Sequence, residues 1–432
     1  MTLPNIVLMT CHDLGQHLSC YGHETVVSPN LDRLAAEGVR VAASFCTAPQ
    51  CSPSRAALHT GRHAHSVGVL GLVHSPFNWQ LQPASAHFAR QVKDGLSYHT
   101  ALFGAQHVTR PALQSALGFA HLSPEAAAPA LGEALRAYLS ALDNQQPFYV
   151  EVDFTEPHRP YDWGGAAPED SRGVQLPPYI PGVADSVSEF AALQGAIRQL
   201  DTGVGIVLAA LDEYGLRDNT FVVFVTDHGL AMPRAKCTLY DPGIETALLL
   251  RWPAGGLTGD RVLTPLISHV DLVPTLLEAL GQPVPAGAFH GHSFWPLLQD
   301  APYEANDAIF AEKTYHTAYE PMRAVRTATH KLIVNFETGS SYDVPDDVRN
   351  GLIYPHVIAR ATGHRRPVEL YDLERDPLEQ DNLAGRPEVA ELEAPLLQRL
   401  HRWMEDTSDP LLDGPPPSPF YAATMALLAG RE

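Results

Sequence analysis

Short apolar runs alternate with helical patterns through most of the chain. The runs are four to seven residues long and lack regular alternation of apolar and polar positions; they cover residues 5–10, 98–103, 148–154, 221–226 and 247–251. Such runs are typical of parallel strands that are covered on both faces. Between them, residues 188–214 and 271–280 carry apolar side chains at helical spacing. The pattern predicts an α/β fold with a mostly parallel central sheet and helices on both faces.

The pattern changes in the last third of the chain. Three short strand-like runs separated by turns precede a helical pattern at residues 387–404; the runs cover residues 322–326, 331–335 and 369–371. Consecutive strands joined by turns are typical of an antiparallel sheet. We therefore predict a main α/β domain at residues 1–315 and a smaller C-terminal α+β subdomain with an antiparallel sheet at residues 316–432.

Two long segments show neither period and are predicted to be loops. Residues 159–184 are rich in proline and glycine, and residues 343–366 separate two of the C-terminal strands. Loops of this length in a compact protein are often functional. We expect the first of them to shape a binding pocket.

Composition and charge exclude several classes of protein. Hydrophobic residues make up 45% of the chain and charged residues 18%, which is unlike a disordered protein or a coiled coil. With 29 basic and 49 acidic residues the formal net charge is −20, so a nucleic acid is not an expected partner. A small anionic ligand remains compatible with this charge, because a local site can oppose the overall field.

The five cysteines and the N-terminus bear on the compartment. An odd number of cysteines without recurrent spacing argues against a disulfide framework. No apolar stretch approaches the ~18 residues of a membrane span, so no membrane partner is expected. The N-terminus runs directly into a strand without a signal-like segment, which favours a cytoplasmic location; a signal already removed would instead indicate a secreted or periplasmic protein.

Polar side chains follow four of the predicted strands at the point where each strand ends. They are, in chain order, His12 with Asp13, His107, His158, and Asp227 with His228. In open parallel sheets, functional sites form outside the carboxyl ends of the strands. Any one of these clusters is unremarkable by itself, but together they predict a metal and acid–base site at one edge of the sheet.

A second signal is the segment Cys-Ser-Pro-Ser-Arg-Ala-Ala-Leu-His-Thr-Gly at residues 51–61. Proline in the first turn and glycine at the end predict a short helix that begins at Cys51. A side chain there faces unpaired N–H groups and the positive end of the helix dipole, which suits a nucleophile that must meet an anion. Residue type alone would equally fit a buried core cysteine.

The same segment resembles the sulfatase signature Cys-x-Pro-x-Arg with its Leu-x-Thr-Gly continuation. The resemblance extends over nearly the whole chain, including residues 5–9, 20–22, 29–35, 157–158, 226–229, 251–253, 369–373, 376–377 and 382–383. Within this family the chain is most similar to the heparan N-sulfatases (sulfamidases), at residues 68–77, 179–181, 201–205 and 403–410. The resemblance implies the fold of the alkaline phosphatase superfamily and the activity of a sulfuric ester hydrolase.

The resemblance also implies roles for individual residues. Cys51 would be oxidised to formylglycine by a formylglycine-generating enzyme, and Arg55 would hold its hydrate. His158 would protonate the leaving group. His107 would take a proton from the second hydroxyl of the hydrate, so that sulfate leaves and the aldehyde is restored. Lys236 would place a fixed positive charge near the anionic substrate.

A divalent metal is implied as well. Asp13 and Asp227 match metal-binding aspartates, and His228 stands where the family has asparagine or histidine; residue 51 also belongs to this ligand set. Two positions depart from the family: His12 replaces an aspartate, and Ala105 replaces a lysine. The family metal is commonly calcium, which prefers oxygen ligands. Because two imidazoles suit manganese, zinc or iron better, we predict a metal other than calcium.

The sequence thus indicates hydrolysis of a sulfate ester or sulfamate, with a small sulfated sugar such as N-sulfoglucosamine as the substrate. One alternative is a phosphonate monoester hydrolase or phosphodiesterase of the same superfamily. Another is a non-catalytic member that only binds sulfated glycans, as His12 and Ala105 would suggest. The resemblance is also compatible with a homodimer.

Overall fold

Strands in three sheets organise the part of the chain that the structure, a computed structural model, describes: residues 3–142, 146–339, 343–358 and 365–429. In chain order the strands are β1 (Asn5–Cys11), β2 (Val39–Val41), β3 (Ser44–Phe45), β4 (His99–Gly104), β5 (His121–Ser123), β6 (Phe148–Asp153), β7 (Thr220–Thr226), β8 (Leu248–Arg251), β9 (Arg261–Leu263), β10 (Ile267–Ser268), β11 (Ala308–Tyr315), β12 (Tyr319–Thr327), β13 (His330–Asn335) and β14 (Val368–Asp372). The α-helices are α1 (Pro29–Glu37), α2 (Cys51–Thr60), α3 (Phe88–Leu96), α4 (Ala128–Ala141), α5 (Ala184–Glu213), α6 (Asp241–Ile244), α7 (Leu272–Ala279), α8 (Trp295–Leu298), α9 (Asp346–Arg349), α10 (Tyr354–Val357), α11 (Ala390–Asp406) and α12 (Pro419–Leu428).

The central sheet has eight strands in the order β5-β4-β6-β1-β7-β8-β2-β9. In its middle, β1 pairs in parallel with β6 on one side and β7 on the other. Val7 and Met9 pack into one apolar cluster with α5, whereas Ile6 and Leu8 pack into a second cluster on the opposite face. This alternation is expected when both faces of a strand are covered. The predicted mostly parallel α/β fold is confirmed.

The prediction that residues 247–251 form a parallel strand is wrong in direction. The predicted run at residues 247–251 corresponds to β8 (Leu248–Arg251), which runs antiparallel to its neighbours β7 and β2. A parallel neighbour requires a crossover connection, usually a helix on one face of the sheet. The connection after β7 contains only the short helix α6 and returns at the edge where β7 ended, so the next strand must run back.

The C-terminal sheet is antiparallel, with the order β11-β12-β13-β14. One face packs against α11 through Leu396, Leu400 and Trp403. The other face packs against Tyr240, which immediately precedes α6, and against Ile244, the last residue of α6. The predicted antiparallel sheet is confirmed, but its first strand, β11, was not predicted. This strand lies before residue 316, where we predict that the C-terminal subdomain begins. The division into two domains stays a prediction.

The predicted helices are present with small shifts at their ends. The patterns at residues 188–214, 271–280 and 387–404 correspond to α5, α7 and α11. Among the helices in the described ranges, none combines the length and hydrophobicity that a membrane crossing requires.

A buried ion pair ties the C-terminal sheet to the segment that follows α11. The guanidinium of Arg323 donates to both carboxylate oxygens of Asp409, from Nε at 2.5 Å and from Nη2 at 2.9 Å. Asp409→Ala would leave a buried guanidinium without this partner, and we expect it to lower the free energy of unfolding by about 3–5 kcal/mol in urea titrations. The exposed Asp406→Ala is the matched control and should change stability by less than about 0.5 kcal/mol. Equal stability of the two variants would contradict the prediction.

Candidate active site

Three neighbouring strands deliver acidic and imidazole side chains to one edge of the central sheet. His12 and Asp13 directly follow β1, Asp227 and His228 directly follow β7, and Asp153 is the last residue of β6. Because β6, β1 and β7 are adjacent and parallel, their carboxyl ends meet at the same edge. All five side chains are buried.

Helix α2 begins at this edge and is fixed there by Arg55. Cys51 is its first residue, and Arg55 lies one turn further along, with only 1% of its surface exposed. The guanidinium reaches Asp153 at 2.8 Å and Asp227 at 3.3 Å. It also donates to the hydroxyl of Thr10 at 3.1 Å. One arginine thus joins the helix to the ends of all three strands.

Several electron-rich atoms face one another in the site. Nδ1–H of His228 donates to the carbonyl of Gly229 at 3.0 Å, which leaves the lone pair on Nε2 directed into the site. That Nε2 lies 3.1 Å from Asp13 Oδ1, 3.4 Å from Cys51 Sγ and 3.7 Å from Asp227 Oδ2. Within the described part of the chain, Asp13 Oδ1 and Asp227 Oδ2 form no hydrogen bond, although Asp227 Oδ2 lies 3.3 Å from Arg55 Nη2. Buried oxygens left in this way normally bind a water or an ion.

His12 completes this group of electron-rich atoms. Its Nδ1 lies 3.7 Å from Asp227 Oδ2, and its Nε2 lies 3.6 Å from Asp153 Oδ1. Burial, reinforced by Arg55, holds the pKa of His12 well below its usual value, so the ring is neutral and retains a lone pair. Cys51 belongs to two groupings of candidate ligand atoms, one with His12 and Asp227 and one with Asp13 and His228.

The charges support the same interpretation. Four carboxylates face two basic side chains around the site, namely Asp13, Asp153, Asp227 and Asp347 against Arg55 and Lys236. Burial raises the pKa of Asp153 to about 7 even though Arg55 opposes the shift. A buried excess of negative charge is costly unless it is paired or binds a metal. The residues therefore fit a divalent cation held by His12, Asp13, Asp227 and His228.

Lys236 lies beside the acidic cluster, in the connection between β7 and β8. Its ammonium donates to Asp13 Oδ2 at 2.9 Å and to Asp347 Oδ2 at 2.7 Å. Burial alone would lower its pKa, but the two carboxylates outweigh burial and raise that pKa well above its usual value. Lys236 is therefore a permanent positive charge at the edge of the site.

Two further histidines border the cluster on the outer side. His158 Nε2 lies 3.6 Å from Asp13 Oδ2, and its Nδ1–H donates to the carbonyl of Arg159 at 2.6 Å. The ring of His107 lies 4.9 Å from that of His12 in an edge-to-face arrangement. Burial, with Arg55 contributing, lowers the pKa of His107 to about 3, so its ring is neutral.

The structure brings every predicted site residue to this one edge: His12, Asp13, Cys51, Arg55, His107, His158, Asp227, His228 and Lys236. Their chemical roles stay predictions. Sequence reasoning missed Asp153 and Asp347. Asp153 lies inside a predicted strand, where two carboxylates, Glu151 and Asp153, in an otherwise apolar run are themselves a signal. Asp347 lies in the predicted loop 343–366, where the structure instead has the short helices α9 and α10, and no pattern around it distinguishes it.

Two protein families match the chain. The model of a family described as Sulfatase matches residues 4–282, which is well over half of the chain, and the model described as "N-sulphoglucosamine sulphohydrolase, C-terminal" matches residues 228–351. The first range contains all the predicted site residues. The second range begins at His228 and includes Lys236 and Asp347.

Individual proteins agree with these matches. The chain is 27% identical to human N-sulphoglucosamine sulphohydrolase, over 95% of this chain and 92% of that protein. It is 29% identical to human arylsulfatase A, over 88% and 83% respectively. A structure solved with its substrate D-glucosamine-2-N,6-O-disulfate shares the fold, with a TM-score of 0.74 at 18% identity, and covers 94% of this chain and 99% of its own. A phosphonate monoester hydrolase from Silicibacter pomeroyi shares it too, with a TM-score of 0.73 at 20% identity over 94% and 96% of the two chains.

Proposed function

The chain belongs to the sulfatase family, and we propose that it hydrolyses the sulfate ester or sulfamate of a sulfated sugar, with residue 51 acting as formylglycine. One observation carries this proposal. Cys51, at the N-terminus of α2, points its Sγ at the same buried lone pairs that fit a divalent cation, 3.4 Å from His228 Nε2. A nucleophile and a metal that share one cavity are the two elements that sulfuryl transfer needs.

The unmodified thiol is poorly suited to attack sulfur. Burial raises the pKa of Cys51 well above its usual value, even though Lys236 opposes the shift, so the reactive thiolate is scarce. Oxidised to formylglycine and hydrated, the same position supplies a hydroxyl nucleophile, and its second hydroxyl permits release of sulfate without attack by water. Arg55, held between two carboxylates, would orient that side chain.

The metal ligands in this proposal are His12, Asp13, Asp227 and His228, with residue 51 as a further ligand. A divalent ion bound there would lower the pKa of a coordinated hydroxyl and stabilise negative charge on the sulfuryl oxygens. Lys236 supplies a second positive charge for the same oxygens.

Proton transfer falls to the two outer histidines. His158 has 31% of its side chain exposed, so a leaving group that points out of the site would meet its Nε2. We assign the general acid to His158 and the general base to His107, whose ring lies beside that of His12 at the site.

The sugar substrate rests on the relatives. The family match in the C-terminal part is to N-sulphoglucosamine sulphohydrolase, and the human protein of that name is similar over nearly the full length of both chains. The proposal also includes a homodimer, a cytoplasmic location and maturation by a formylglycine-generating enzyme.

The central experiment measures the modification and the activity together. The protein is produced in a host able to form formylglycine, and mass spectrometry of the Cys51 peptide should show an aldehyde in place of the thiol. Turnover of aryl sulfate and N-sulfoglucosamine should then fall by more than about 10³-fold in Cys51→Ser, because a serine lacks the second hydroxyl. Cys20→Ser, away from the site, is the matched control and should retain activity.

The same assay decides among the alternatives. A rate on an aryl phosphonate far above the rates on both sulfur substrates would establish the phosphonate hydrolase instead. An unmodified Cys51 with no turnover of any of these substrates, but with measurable affinity for sulfated sugar, would favour a binding protein.

The metal can be identified by elemental analysis of protein purified without added metal. We expect one manganese, zinc or iron ion per chain, because two imidazoles favour these ions over calcium. Asp227→Asn should lose the ion and also the rise in melting temperature that the added metal produces in metal-depleted wild type. Stoichiometric calcium without a transition metal would contradict the prediction.

The role of His158 predicts a dependence on the leaving group. His158→Ala should lower kcat/KM by about 10²–10⁴-fold on a sugar sulfate or sulfamate, whose leaving group needs a proton. On 4-nitrophenyl sulfate the loss should be much smaller, because nitrophenolate leaves without protonation. Equal losses on both substrates would exclude His158 as the general acid.

A further inference from the structure

The C-terminal part of the chain contributes a carboxylate to the mouth of the site. Asp347, on the short helix α9, accepts a hydrogen bond from Lys236 Nζ at 2.7 Å, and its Oδ2 lies 3.9 Å from His158 Nε2. Its side chain is 17% exposed, whereas that of Asp13, on the other side of Lys236, is fully buried. Asp347 therefore lies where a leaving group would exit, beside the proposed general acid.

The position of this carboxylate is fixed by contacts on both sides. Asp347 Oδ1 accepts the backbone N–H of Val348 at 3.0 Å. Further along the segment, the backbone N–H of Ile353 donates to Glu189 of α5 at 2.8 Å. Glu189 also binds the guanidinium of Arg159, the residue that follows His158. The segment that contains Asp347 and the loop that contains His158 thus share one anchor, Glu189.

A metal is not needed to explain why these acidic groups lie together. Asp13, His158 and Asp347 have ligand atoms close enough to hold an ion, but the ammonium of Lys236 already lies between the two carboxylates. The positive charge of Lys236 is therefore shared between Asp13, a proposed metal ligand, and Asp347, at the mouth of the site. What remains to be explained is a second carboxylate close to the place where an anionic substrate must bind.

A carboxylate at this place treats oxygen and nitrogen leaving groups differently. The bridging oxygen of a sulfate ester has no hydrogen, and its lone pairs are repelled by a carboxylate. The bridging nitrogen of a sulfamate has an N–H that can donate to it, and a hydrogen bond to a charged acceptor is a strong one. Opposite effects on two otherwise similar substrates are the basis of specificity.

We propose that Asp347 is a specificity-determining residue that favours nitrogen over oxygen as the leaving atom. The inference rests on the proposed function. In the reaction the sulfur–nitrogen bond breaks, its electron pair stays on nitrogen, and His158 supplies a proton. Over the whole cycle the sulfamate anion consumes one water and yields an ammonium and a sulfate dianion. The ammonium is attracted by Asp347, whereas the alcohol formed from an ester is neutral.

The kinetic test uses two substrates that differ only in the leaving atom, N-sulfoglucosamine and glucose 2-O-sulfate. Asp347→Asn keeps the shape of the side chain and removes its charge. We expect kcat/KM for N-sulfoglucosamine to fall by about 10- to 100-fold, as for loss of one hydrogen bond to a charged group. The ratio of this value to that for glucose 2-O-sulfate should fall as well, because the ester has no N–H to donate to the carboxylate. Asp346→Asn, the exposed neighbour on α9, is the matched control and should not change the ratio of the two values.

A binding measurement gives a second readout that does not depend on turnover. Calorimetry should show that the wild type binds glucosamine, an ammonium at neutral pH, more tightly than glucose, and that Asp347→Asn removes the difference. Melting temperatures of both variants report whether they fold. A general structural role would lower activity on both substrates equally, which would overturn the inference.

The outcomes separate this inference from the proposed function. If the wild type hydrolyses sulfate esters but not N-sulfoglucosamine, or if Asp347→Asn leaves the ratio unchanged, the role of Asp347 is wrong and the sulfatase proposal stands. If the wild type hydrolyses neither sulfur substrate although residue 51 is modified, the proposed function itself fails.

Discussion

Buried lone pairs and negative charges at the carboxyl ends of β6, β1 and β7 are the constraint around which the rest of the site is arranged. Parallel strands end together, so Asp13, Asp153 and Asp227 are forced into one small volume. Carboxylates in such a volume are stable only with cations between them. Arg55 on α2 pairs with Asp153, and Lys236 in the connection after β7 pairs with Asp13. A divalent ion would neutralise the remainder, and the same positive charge would serve an anionic substrate.

The C-terminal sheet is part of this arrangement. Lys331 on β13 contacts Asp241 at 2.5 Å and Glu379 at 2.8 Å, and Arg326 on β12 also binds Asp241 through two of its nitrogens. Asp241 begins α6, five residues after Lys236 in the chain. The buried ion pairs therefore hold the connection that places Lys236, and the same part of the chain supplies α9. The C-terminal part of the chain does not contain Cys51, but it positions two charges near that residue, those of Lys236 and Asp347.

The histidine at position 12 has a physical consequence in this setting. An imidazole adds a nitrogen donor to a crowded group of carboxylates without adding a negative charge, because burial keeps its ring neutral. His12 then lies between Asp227 and Asp153, with one nitrogen towards each. The donor set is softer and less charged than one built of carboxylates alone, which is why we expect a metal other than calcium.

The sequence by itself determined the elements whose cause is local or periodic. Apolar runs predicted the strands of the parallel sheet, and the polar residues at their ends predicted His12, Asp13, Asp227 and His228 as neighbours, because parallel strands share an edge. The helix at Cys51 followed from its proline and glycine. The signature around it indicated the family, which the matches then showed.

Only the tertiary structure decided the features that depend on how distant segments pack. The direction of β8 depended on the connection that returns at the edge where β7 ends, and not on the composition of the strand. Asp153 joined the site because β6 is the neighbour of β1 in the sheet. Asp347 lies 111 residues from Lys236 in the chain, and no local pattern links the two. Hydrophobic periodicity reports which face of an element is buried, but it does not report which buried faces meet.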